Sequence, residues 1–364
     1  MRRLLLARRR AAPRRASAPS GGSALARFGG ILWLLAIPSL ALAQAPASEL
    51  NLSVAVAPAF PLGAAAKAWG EAMAAAGEGP VASTLHPGAS LAQRDPAREM
   101  LALRDGAADL AVGSALAWSA QLPALAIYAV PWLAPERDDL AALVAAPEIA
   151  GELMKRAEAQ GVVIVALAPL GHRVLATTGK VVRAPADLAA LRVRATGGPL
   201  VVETLATLGA RPQAMSFAQA QEALAAGALD AQDGLATSFV AARLPATGYK
   251  QLVRWGAFGD AMVFAVRRAV WDGFTDAQRR TALETARKVA EGANASTRED
   301  EAAQVLLSLG MGETRLTRAG HAAFARAAAK AREARVAAIG TDLVATAERV
   351  VAASRASRPE PAPR

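Results

Sequence analysis

Arg192 and Arg194 alternate with Leu191 and Val193 in the stretch "ALRVRATGGPL" (190–200), where a glycine pair and Pro199 follow at once. Such alternation reads as a strand with both arginines on one face and the two apolar residues on the other. A proline just beyond it marks the start of a helix near residue 199. In open α/β sheets ligands bind outside the carboxyl ends of strands, and Arg194 is the last strand residue. A planar guanidinium grips a carboxylate through two parallel hydrogen bonds, and the unpaired amides at a helix start favour the same anion. The chemistry so indicated is capture of a small carboxylate. From spacing alone, two solvated strand arginines fit equally well, and Arg192, one pleat earlier, is the better candidate for the surface.

Other chemistries find little support. Cysteine is absent, which removes disulfides, thiolate nucleophiles and thiolate-held metals. The three histidines, His86, His172 and His321, are far apart and at no metal-ligand spacing. No serine sits in a G-x-S-x-G elbow, so a hydrolase triad with His172 has no nucleophile. The segment "GEGPVA" imitates a dinucleotide fingerprint but precedes a strand where the fingerprint must follow one. Neither an enzyme activity, a metal nor any cofactor is expected. Tyr128, Trp132 and Phe217 are candidates to line an apolar pocket, although ordinary core packing suits the same residues.

The formal charge of +10 raises the question of nucleic acid until it is located. Residues 1–27 carry eight arginines, and residues 44–353 balance 30 bases against 30 acids. A neutral body offers no footprint for a phosphate backbone, so no nucleic-acid partner is expected. After the arginines comes "FGGILWLLAIPSLALA", a short apolar run ending in small residues, which reads as a secretory signal cleaved before Gln44. With no cysteine to carry a lipid, the secreted product is expected to be free in solution.

The rest alternates strand and helix patterns: "LNLSVAVAP" before "PLGAAAKAWGEAMAAAG", and "DPAREMLALRDG" before "ADLAVGS". Alternation of this kind argues for an α/β fold of mostly parallel sheets flanked by helices. Length favours two lobes with a crossover near Leu170. The expected division is a signal peptide at 1–43, a first lobe at 44–170 with a return at roughly 258–298, and a second lobe at 171–257 with roughly 299–351. Residues 352–364, rich in proline, are expected to be disordered. The helical stretch from Phe274 to Gly310 is long enough to run along both lobes.

The block "GHRVLATTGKVVRAPADLAALRVRATGGPLVVETLATLGARPQAMSFAQAQEALAAGALDAQDG" resembles the central region of the solute-binding proteins of tripartite ATP-independent periplasmic (TRAP) transporters. "HPGASLAQRDPAREMLALRDGAADLAVGS", "YAVPWLAP" and "AVWDGFTDAQRRTALETA" stand in that family's order, so the resemblance covers roughly residues 50–335. Its acidic-Leu-x-x-Leu-x-x-Arg phrase appears as Asp187 to Arg194. The resemblance implies a two-lobed periplasmic binding protein that delivers a small organic acid to membrane permease subunits. It puts Arg194 at the carboxylate clamp, Arg173 of "GHR" at a second cationic position, and Gln232 and Asp233 in the segment that touches ligand. Where the family commonly reads Asp-Gly-Gln-Glu-Asn-Pro, this chain has Asp230-Ala231-Gln232-Asp233-Gly234-Leu235, so Gly234 replaces an asparagine. Gln219 and Gln221 stand where a glutamate and a tyrosine are usual. A partner other than a permease, such as a sensor, is equally compatible with the residues, and neither ligand identity nor oligomeric state can be read from them.

Overall fold

A computed structural model describes residues 49–358, apart from Gly197, Asn294 and the side chains of residues 295–297. The expected signal peptide and residues 359–364 of the expected tail lie outside the described residues. Ten strands run in chain order: β1 (Leu50–Val54), β2 (Ser83–His86), β3 (Leu110–Ser114), β4 (Val162–Thr177), β5 (Arg192–Ala195), β6 (Arg211–Ala214), β7 (Ala231–Leu235), β8 (Gln251–Arg254), β9 (Gly259–Arg267) and β10 (Gly312–Arg315).

The strands form two halves that share β4. Residues Val162 to His172 of β4 pair with β9, whereas Arg173 to Thr177 pair with β7, and Leu175 to Thr177 also with β8. The first half therefore reads β2-β1-β3-β9-β4, and the second continues β4-β7-β5-β6, with β8 beside β4 and β10 beside β8. Within each half the βα units pair in parallel, as β1 does with β2 and β3, and β5 with β6 and β7. The antiparallel pairings all involve β4 or β9, the strands that enter a half from the other one. The sixteen-residue β4 hands over between His172 and Arg173, two residues beyond Leu170. A register shift between Pro169 and Gly171 bends it there, and Gly171 has φ +119°, a conformation open to glycine. A Cβ on Gly171 would lie 2.1 Å from Glu299 Oε1, the atom that accepts the His172 amide at 2.6 Å.

Helices cover both faces because their apolar stripes have a sheet to meet. Pro61–Ala74 buries Trp69 and Met73, and the Trp69 ring stands edge-on to Phe264 of β9 with centroids 5.5 Å apart. The long helical stretch is two helices, Asp276–Gly292 and Ala295–Ser308. The first packs Ala282 and Ala286 into the core of the first half, and the second packs Ala302, Ala303 and Leu306 into a core of the second half. The interruption follows Gly292, where the sequence Gly-Ala-Asn carries helix-stop residues, and it lets two apolar stripes face two different cores.

The C-terminal segment departs from the expected division. Arg318–Ala327 and Ala329–Ile339 are followed by Thr341–Ala356, and this last helix packs on Arg137–Ala145 and Pro147–Glu158 of the first half. Residues 341–351 thus lie with the first half and not the second, and the expected tail is helical as far as Ala356. The physical reason is Asp139, fully buried in Arg137–Ala145, whose carboxylate accepts hydrogen bonds from Arg355 Nε (3.0 Å) and Nη2 (2.8 Å) and from Arg358. A buried charge without a partner is costly, so the chain end is tied down. A chain stopped after residue 351 is expected to lose about 3 kcal/mol of unfolding free energy in urea titration. An unchanged midpoint would show that these ion pairs contribute nothing.

Candidate functional site

The carboxyl ends of β5 and β7 meet the handover point of β4, so Arg194, Asp233 and Arg173 converge where the halves join. Arg194 pairs in register with Gln232, and Leu175 with Asp233, which places Asp233 one diagonal step from Arg173. The first half supplies the opposite wall. Phe60, which precedes helix Pro61–Ala74, stands edge-on to Phe217 of the second half with centroids 5.7 Å apart. Gly198 sits so close to Leu116 that a Cβ would lie 2.6 Å from Leu116 Cδ1.

The two guanidiniums are buried but held differently. Arg173, 4% exposed, places Nε and Nη2 each 2.7 Å from Asp233 Oδ2, donates from Nη2 to Thr196 Oγ1, and has Nη1 3.5 Å from Asp260 Oδ2. Burial works against its charge, but the Asp233 and Asp260 carboxylates outweigh that and hold its pKa above the ordinary arginine value. Arg194, 6% exposed, has only main-chain acceptors: Nε donates to Met215 O at 3.1 Å and Nη1 to Asp233 O at 3.0 Å. Its guanidinium carbon lies 5.8 Å from the centroid of Phe217. Among the described residues Arg194 makes no ion pair. Burial, and then the like charge of Arg173, pull its pKa down to about 10. A cation so placed is one whose charged state the fold tolerates poorly until an anion meets it.

Asp233 serves both arginines, one through its carboxylate and the other through its carbonyl, and its Oδ1 is buried without a partner. Gln232 accepts from the Tyr249 hydroxyl at 3.2 Å, leaving its Nε2 buried and unpaired. Asp260, one residue into β9, accepts from Ser114 Oγ at 2.6 Å and from the amides of Leu116 (3.1 Å) and Ala261 (2.9 Å). Burial raises its pKa against those donors and Arg173.

Of the residues singled out in the sequence, the structure brings together Arg194, Arg173, Gln232, Asp233 and Phe217. Trp132 is elsewhere: its ring stacks on Phe324 and its Nε1 donates to Trp255 O at 2.9 Å, within an aromatic core that includes Phe258. The pocket-lining expectation fails for Trp132 because Phe324, from a helix remote in sequence, supplies the apolar face that it needs. Tyr128 is also enclosed. Its carbonyl lies beneath Gly259, next to Asp260, and burial raises the pKa of a hydroxyl that has no partner. Arg192 lies at the surface side as expected, in a two-pronged pair with Asp230 at 2.6 and 2.9 Å. Sequence reasoning missed Asp260, Thr196, Phe60 and Tyr249. Only Asp260 left a signal, as a lone acid in the apolar strand "GDAMVFAV". A separate cleft of about 740 Å³, lined by Val144, Ala166, Leu283 and Arg287, shares no residue with this site.

Among the described residues no helix is long and apolar enough to cross a membrane, and no three acidic or histidine side chains converge to hold a metal ion. Comparison with known proteins places the fold. A TRAP periplasmic solute binding protein of Ralstonia eutropha, solved with bound (S)-2-hydroxy-2-methyl-3-oxobutanoate, is 34% identical, with TM-score 0.81 over 84% of this chain and 99% of that one. A TRAP periplasmic solute binding protein of Shewanella oneidensis with bound succinate is 17% identical, with TM-score 0.76 over 83% and 99%, a likeness of fold. A protein of Verminephrobacter eiseniae described as solute-binding protein is 25% identical over 181 residues, 50% of this chain and 53% of that protein. The matched stretches span between 37% and 57% of the curated relatives. Residues 52–336 match the family described as bacterial extracellular solute-binding protein, family 7. With its α/β halves, its shared strand and its buried arginines at their junction, the chain belongs to that family, the TRAP solute-binding proteins, which are receptors and not enzymes.

Proposed function

We propose that this protein is a periplasmic receptor that closes its two halves on a small organic acid and delivers it to the membrane permease of a TRAP transporter. The observation that carries the reading is Arg194, buried at the junction of the halves and without a carboxylate among its partners. A ligand carboxylate there gains a charge-assisted, two-pronged contact, and the guanidinium gains the counter-charge that burial demands. Contacts made to both halves at once favour the closed state, and the closed shape is what a permease can distinguish from the open one. The Ralstonia eutropha relative, solved with a bound organic acid, supports the class of ligand. The leader "FGGILWLLAIPSLALA" and the absence of cysteine support export to the periplasm without a lipid anchor.

The test is mass spectrometry of small molecules released on denaturing protein purified from cells, followed by calorimetric titration of the protein refolded without ligand. The expected result is a carboxylic acid that rebinds at one site. Release and rebinding of a neutral sugar or an amine would refute the reading. Uptake of the same acid into vesicles carrying the permease is expected only when the receptor is added.

A further inference from the structure

Resting on the reading of the protein as a carboxylate receptor, we propose that Leu116 of the first half and Gly198 of the second are the stop against which the halves close, and that the missing side chain at 198 fits the receptor to short acids. Gly198 precedes helix Pro199–Thr207 with φ −71°, a value open to any residue, so its backbone conformation does not call for glycine. The reason for glycine is space. A Cβ there would lie 2.6 Å from Leu116 Cδ1, 2.9 Å from the Leu116 carbonyl oxygen and 3.0 Å from Cγ. The backbone of one half therefore rests on a residue of the other, with no room for a methyl group between them.

Leu116 cannot step aside. Its side chain is buried, its amide donates to Asp260 Oδ1 at 3.1 Å, and its carbonyl accepts from Ser119 Oγ at 2.6 Å. The opposing loop is held as well: Gly198 N donates to Thr196 O at 2.7 Å, and the Thr196 hydroxyl accepts from Arg173. Arg173 Nη1 also lies 3.5 Å from Asp260, so one buried guanidinium braces both sides of the contact. Across the same junction Phe60 meets Phe217, and the Phe239 ring fills the space beside Gly234, where a Cβ would lie 2.5 Å from Cε1. Braced in this way the halves come to rest at a fixed gap, and a guest touches both only if it is short enough to leave the Leu116–Gly198 contact intact. A side chain at 198 needs about 1 Å more, which widens the gap and moves the fit to longer guests.

The experiment titrates ligand-free wild type, Gly198→Ala and Gly198→Ser by calorimetry with 2-hydroxy acids of one chemistry and growing length: lactate, 2-hydroxybutyrate, 2-hydroxyvalerate, 2-hydroxyhexanoate and 2-hydroxyoctanoate. Serine supplies the helix cap that alanine lacks, so the pair of variants separates the added Cβ from helix stability. Wild type is expected to bind the three shorter acids and to lose about tenfold or more in affinity at the two longer ones. In both variants the shortest acids are expected to bind about tenfold more weakly, and the optimum to move about one methylene up the series. The urea midpoint of the ligand-free serine variant is expected to match wild type, because the open protein does not make the contact. Leu116→Ala added to Gly198→Ala removes Cδ1 and Cγ and is expected to recover most of the lost affinity. Unchanged affinities and an unchanged optimum in both variants would overturn the stop, and this arm does not depend on the double variant folding. An equal loss for every acid, with a matching loss of ligand-free stability, would make Gly198 a packing position and overturn it too. A wild type that prefers the longer acids, or binds none of the series while releasing another acid on denaturation, would overturn the fit to short acids and leave the carboxylate receptor standing. No acid bound and none released from the purified protein would overturn the receptor reading itself.

Discussion

Replacing Arg194 by alanine is expected to weaken binding of the captured acid by about 30-fold to several thousand-fold, the consequence of 2 to 5 kcal/mol for truncating one partner of a desolvated charge pair. The same substitution is expected to change ligand-free stability by no more than about 1 kcal/mol, because two opposing effects meet at this residue. Removing the side chain releases Met215 O and Asp233 O from their donors, which costs stability. It also removes a buried cation whose pKa is drawn down to about 10 by burial and by Arg173, and this cost is present at every pH below that value. Arg194→Lys tests geometry apart from charge: a point charge on a flexible stem does not reproduce the guanidinium fork, so most of the affinity is expected to be lost with the charge retained. Titration of the acid by calorimetry and unfolding in urea without it separate the two effects. Undiminished affinity in Arg194→Ala would remove Arg194 from the site, and a collapse of ligand-free stability would make it a structural residue.

What could be read in the sequence was set by range. Arg194 was legible because alternation, the strand end and Pro199 all lie within ten residues and obey local rules. The fold class was legible for the same reason, since each βα unit announces itself by its own periodicity. Asp260 and Thr196, which complete the setting of Arg173, come to it from 87 and 23 residues away, and Phe60 meets Phe217 from the opposite half. Contacts of that reach are fixed by the way β4 and β9 cross between halves, and no periodicity encodes them. Trp132 and the end of the chain show the converse. The aromatic beside Pro131 reads locally as pocket wall or as core, and the arginines after residue 352 read as tail, and tertiary partners decide both: Phe324 for Trp132, the buried Asp139 for Arg355 and Arg358. The halving of the long helical stretch was written locally, in Gly292 and the two residues after it, but composition there also permits a continuous helix.

Glu99 offers a test of the first half that is independent of any ligand. It lies at the start of helix Glu99–Asp105, fully buried, with Ser53 Oγ donating to Oε1 at 3.0 Å and Oε2 without a partner. Burial pushes its pKa up to about 8 from an ordinary 4.5, against the Ser53 hydroxyl and the neighbouring Trp118 indole, and with an addition from Asp95. An acid whose folded pKa exceeds its unfolded value is protonated in the fold and ionised in the open chain over the window between the two. Unfolding then releases a proton, so stability is full below about pH 4.5 and falls as pH rises toward 8. The loss across that window amounts to about 4 kcal/mol. Glu99→Gln keeps the shape, carries no charge and lacks this dependence. Urea unfolding of both proteins between about pH 5 and 8 is expected to show near-equal stability at the acid end and an advantage of several kcal/mol for the glutamine variant at the other. Parallel pH profiles would mean that Glu99 ionises in the fold as freely as in water, which a carboxyl group without access to solvent has no means of doing.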